Sequence, residues 1–152
     1  MEISNLIQQI QFVLAPAVMI SSSALLLLGF QNKFSNLASR FRVLNHEKRT
    51  LIQKPHREES DHLRRQNLES QIGHLVRRAA HVKNVVLLTY AAIVCFILTS
   101  VMIFLSVYTT HPLFSFIIGF FLTGLLLILV ASVTEIFEVT LAFKIIRLES
   151  KS

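Results

Sequence analysis

Two long stretches of this sequence carry no charge. No Asp, Glu, Lys or Arg occurs from Ile3 to Asn32, thirty residues, or from Asn84 to Thr134, fifty-one residues. In the second stretch the titratable groups are His111, Cys95 and two tyrosines. A soluble core helix has no need of so long a charge-free run. A stretch of about 18 apolar residues is enough to cross the roughly 30 Å hydrocarbon core of a bilayer as a helix. The second stretch is about twice that length, so the pair gives three spans, and a soluble globular domain is excluded.

Other absences narrow the function. Cys95 is the only cysteine, so no intrachain disulfide can form, and its place in the second span fits an inert thiol. The leader Met1-Glu2-Ile3-Ser4-Asn5 has no Lys or Arg, and the apolar run behind it is long. The first span is therefore expected to be retained and not cleaved as a signal peptide. There is no Gly-rich phosphate loop and no zinc motif, and Ser21, Ser22 and Ser23 have no base nearby in sequence. His46, His56, His62, His74 and His81 include no pair at the three- or four-residue spacing of a helical metal site. No catalytic residue, cofactor or metal is expected, and the chain is not expected to be an enzyme.

What remains is an all-α integral membrane protein. Its three transmembrane helices are expected at about residues 7–30, 85–108 and 113–142 of one 152-residue membrane domain. Between the first and second lies a long cytoplasmic antiparallel helical hairpin at about 31–84. That segment holds twelve of the fifteen Lys and Arg residues against five Asp and Glu. Its apolar residues step by three and four, as in an apolar helical stripe: Phe34, Leu37, Phe41, Leu44 and Leu51, then Leu68, Ile72, Leu75, Ala79, Val82 and Val86. Pro55 disfavours helix at Lys54, which puts the tip at 55–60 with Ser60 or Asp61 capping the return arm. Pro16 predicts a kink in the first span, and Gly29 with Asn32 a possible bend at its exit. The turn Thr109-Thr110-His111-Pro112 makes the last two spans an antiparallel hairpin. Lys and Arg collect on the cytoplasmic side of short loops. The N-terminus is therefore expected outside, with the basic segment and C-terminus inside.

The residues also fit a known pattern. Leu14-Ala15-Pro16, Ser23-Ala24-Leu25-Leu26-Leu27-Leu28, Gln31-Asn32-Lys33-Phe34-Ser35, Arg40-Phe41-Arg42-Val43-Leu44-Asn45-His46-Glu47 and Glu138-Val139-Thr140-Leu141-Ala142 run along nearly the whole chain. Together they resemble a bacterial family of small three-span membrane proteins classed as a domain of unknown function. The resemblance implies a bacterial inner-membrane protein of this topology and transfers no catalytic residue.

Three groups of side chains are candidates for function. Glu135 and Glu138 share a helical face near the end of the third span, and carboxylates in a membrane face a bundle interior, a partner charge or water. They are expected to pair with basic residues, or alternatively to serve a conduction or proton path. Gln8, Ala15, Ser22 and Gly29 recur every seven residues on the first span, as a polar packing face or a pore lining. Ser115, Gly119, Thr123 and Ala131 form a similar ridge on the third. Lys33, Arg40, Arg42, Arg77, Arg78 and Lys83 are expected to face lipid or to pair, with anionic headgroups as possible partners. The positive-inside rule already accounts for much of this charge, so no nucleic-acid partner is expected. The best overall expectation is a homo-oligomeric scaffold, or an accessory subunit of a larger membrane complex, assembled through the basic hairpin. The alternative is a homo-oligomeric ion channel with first-span polar residues and Glu138 near the conduction path.

Overall fold

The computed structural model describes residues 2–53, 59–106 and 114–149, and side chains within 11–53, 61–106 and 114–140. All of them are helical: α1 spans Glu2–Gln53, α2 Glu59–Ser106 and α3 Phe114–Glu149. The described helices Gln11–Gln53, Asp61–Ser106 and Phe114–Thr140 each hold an 18-residue window apolar enough to cross a membrane. Only 17%, 22% and 11% of their most apolar windows is buried inside the chain. Leu25, Phe114 and Phe137 are more than two-thirds exposed. Large apolar faces turned outward on this scale mark a partner surface or a membrane, and here they wrap helices of spanning length.

The first span and the first arm of the expected hairpin are one helix. The helix is continuous through Gly29 and Asn32. Pro16 lies inside this helix, its ring among the most completely buried side chains. The expected cap is corrected: α2 begins at Glu59, so Ser60 and Asp61 lie inside its first turn. Most of the tip and the whole Thr109–Pro112 turn lie outside the described residues.

The helices divide into two compact units, residues 1–28 with 85–152 and residues 29–84. In the first unit the core is built from Pro16, Ser23 and Leu27 of α1, Val85, Thr89, Ala92, Phe96 and Thr99 of α2, and Gly124 and Ala131 of α3. Phe96 is fully buried and lies 5.8 Å from Phe121, ring centre to ring centre, at a tilt of 58°. A Cβ added at Gly124 would stand 2.6 Å from Phe96 Cε1, so the missing side chain is what admits the ring. Lipid tails are as apolar as these residues, so such contacts hold helices by dispersion and close fit.

Several described hydroxyls in this unit bond to their own helices, three of them on buried residues. Ser23 donates to the Met19 carbonyl at 2.6 Å, Thr89 to Val85 at 2.9 Å and Thr99 to Cys95 at 2.8 Å. Ser22, Thr123 and Thr134 do the same at 2.9, 2.7 and 2.7 Å. A buried hydroxyl without a partner is costly, and the carbonyl one turn back removes that cost without water.

In the second unit the arms meet along Phe30, Leu37, Leu68 and Val82, all buried. Phe41, Leu44, Leu51, Ile72, Leu75 and Ala79, at the margins of the expected stripe, are half-buried, as is Val86 in the first unit. Phe34 is 40% exposed, contrary to its place in that stripe, because two helices in contact cover a narrower strip than the stripe spans.

Candidate functional site

Three sets of side chains concentrate charge or polarity. In the first unit, the buried seam of α3 runs Gly124, Ala131 and, one heptad further, Glu138. Glu135 lies one turn beyond Ala131 on the same side. Both glutamates are half-buried, and Oε2 of each is shielded from solvent. Both are engaged by neighbours. They fall within the Phe114–Thr140 segment, so these carboxylates belong to a helix of spanning character. A carboxylate on such a seam needs a hydrogen bond, a cation or a proton to offset its desolvation.

The first-span serines divide. Ser22 is exposed, and the buried serine of α1 is its neighbour Ser23, on the face that carries Pro16. Gln8 lies in α1, but its side chain is outside the described residues. The ridge on α3 divides as well. Ser115, Gly119 and Thr123 are exposed and line a shallow groove with Cys95, Phe116 and Phe120, whereas Ala131 is buried. The glycine in close helix contact is Gly124, whose neighbours four residues away, Phe120 and Ile128, are bulky and hide it from a small-residue pattern.

In the second unit the cations fall into two groups. Arg40, Arg42, Arg77 and Lys83 are exposed, and Lys33 and Arg78 are half-buried. Nearer the tip, Arg64 holds Glu47 through Nε at 3.1 Å and Nη2 at 2.7 Å. Lys48 reaches Glu69 at 2.9 Å, and Arg65, one turn before Glu69 on the same arm, reaches it at 3.3 Å. The Lys48 hydrogen bond, then the Arg65 hydrogen bond, hold the Glu69 carboxyl below its ordinary range. The pairs joining the two arms favour their antiparallel register. Sequence reasoning missed this cluster. The Arg65–Glu69 spacing was the one available signal, since the cross-arm pairs depend on register.

Among the described residues, no three His, Cys, Asp or Glu side chains gather as a metal site would require. Among the described residues the fold is three helices, each with an apolar stretch of membrane length, and one unit pairs two helical arms of mixed charge. The chain belongs to DUF2721, described as a protein of unknown function, whose family model matches residues 13–148. No curated protein and no solved structure matches it.

Proposed function

We propose that this protein is a non-enzymatic, homo-oligomeric scaffold or accessory subunit of a bacterial inner membrane, assembled through its basic hairpin. The N-terminus lies outside, and the hairpin and C-terminus lie in the cytoplasm, as the distribution of Lys and Arg favours. The observation that carries this reading is the incomplete burial of the hairpin. Its two arms leave Phe34, Val43, Ile52, Leu63 and Val76 exposed, Val43 and Leu63 by more than 60%. All five lie outside the two charge-free stretches, so they are expected in water, where apolar exposure favours association. Further copies of the same hairpin would cover them in a bundle.

The test is native mass spectrometry of the full chain released from nanodiscs. A mass that is a whole multiple of the single chain is expected, falling to one chain in Val43→Asp with Leu63→Asp. A monomeric wild type overturns the proposal.

The second reading, an ion channel, is favoured by the Glu138 carboxylate on the inward seam of α3. It requires cation flux in proteoliposomes that falls at least about tenfold in Glu138→Gln, the size expected from losing one well-placed charge. Wild-type liposomes no leakier than empty ones remove that reading and leave the scaffold intact.

A further inference from the structure

The charges of the hairpin are segregated along its length. Residues 47–69 carry six Lys and Arg against five Asp and Glu. Residues 32–46 and 70–84 carry Lys33, Arg40, Arg42, Arg77, Arg78 and Lys83 and no carboxylate. In the tip half the charges compensate one another, as in the Glu47–Arg64 and Lys48–Glu69 pairs. The register of those pairs extends into the other half. Eight residues back along each arm from Lys48 and Glu69 lie Arg40 and Arg77, both exposed and at one level of the hairpin. Like charges at one level repel, and no acid within this half is available to neutralise them.

We propose that the acid-free half of the hairpin is a collar for anionic phospholipid headgroups. Two observations select a lipid surface over an acidic protein. First, Lys33 is the first cation after one charge-free stretch and Lys83 the last before the other, which puts both next to the charge-free stretches in the chain. Second, the cations point around the hairpin: Arg40 and Arg42, two residues apart, diverge by about 200° on a helix. A globular partner would use one face, whereas a headgroup layer surrounds the stalk it meets. Each cation near an anionic surface contributes about a fivefold preference, and the effect fades within a Debye length. The collar does not depend on subunit number.

The test uses the full chain in bilayers with spin-labelled phosphatidylglycerol and phosphatidylcholine, read by the fraction of motionally restricted lipid. A severalfold preference for phosphatidylglycerol is expected. It should fall towards one in high salt and in the combined variant Arg40→Gln, Arg42→Gln, Arg77→Gln, Lys83→Gln. The tip variant Arg49→Gln with Lys54→Gln should keep it. Equal association of the two lipids with wild type overturns the proposal, as does an undiminished preference in the combined variant. Loss of the preference to millimolar inorganic phosphate would assign the site to a free anion. Binding of a soluble acidic peptide or RNA without lipid preference would assign it to a macromolecule; both outcomes overturn the collar. Helicity and native mass are checked in parallel. If the combined variant does not fold, the single variants Arg40→Gln and Lys83→Gln and the wild-type salt dependence carry the same decision.

Discussion

At Gly124 and Phe96 a single absent atom decides how α2 and α3 pack. In Gly124→Ala the new methyl would overlap the Phe96 ring, and because that ring is fully buried its movement disturbs the surrounding core. A loss of about 1–3 kcal/mol is expected, the usual cost of overpacking. Denaturant unfolding in detergent measures it, and Phe96→Leu in the same chain should recover part of the loss, which a merely additive pair would not. Gly73 is the opposite case. It stands inside α2 with nothing within 4 Å of an added Cβ, so Gly73→Ala should stabilise the hairpin by up to about 1 kcal/mol. Both effects are local, and the sequence disclosed neither. A glycine shows in a sequence as a gap, but only the neighbouring helix reveals whether the gap is filled.

At the scale of the element, the hairpin combines a narrow apolar seam with a compact ion-pair cluster at Glu69. That carboxyl is held below its ordinary range, so its contribution is fully present above the ordinary carboxylate pKa and is lost as pH falls through the lowered one. The hairpin should therefore keep this contribution at neutral pH and lose it only in acid. Melting followed by circular dichroism should show a shallower acid decline in Glu69→Gln than in wild type. An identical acid limb would show that the bridges fluctuate too much to matter, as exposed pairs often do. Much of this element was legible. Leu37, Leu68 and Val82 were named by spacing and are buried, because a helical repeat determines its own face. Phe34 failed because spacing says which residues share a side and not how wide a strip the partner covers. The cap at Ser60 or Asp61 failed because both are good caps anywhere near a helix origin, and one residue decides between cap and first turn.

For the whole molecule, the three helices were legible from missing charge, which is a cumulative signal and tolerates local errors. The candidate faces were less so. On α1 the heptad argument chose Ser22, and burial fell on Ser23, one residue and about 100° away. In an apolar helix almost every position is compatible with lipid, so pattern alone selects a face poorly. That leaves the exposed Ser22 and the groove at Gly119 turned outward from the single chain. If copies associate through this groove, Gly119→Leu should weaken association in the membrane while leaving the fold of each chain intact. Förster transfer between labelled copies in liposomes tests this, and unchanged transfer would remove the groove from the contact surface.

The hydroxyls that bond one turn back along their own helices also bear on how the chain enters its membrane. Each donor has its acceptor as soon as one turn of helix has formed. A span does not have to wait for a later one to satisfy these Ser and Thr side chains. The helices can leave the insertion machinery one at a time, in order of synthesis, and find their neighbours afterwards.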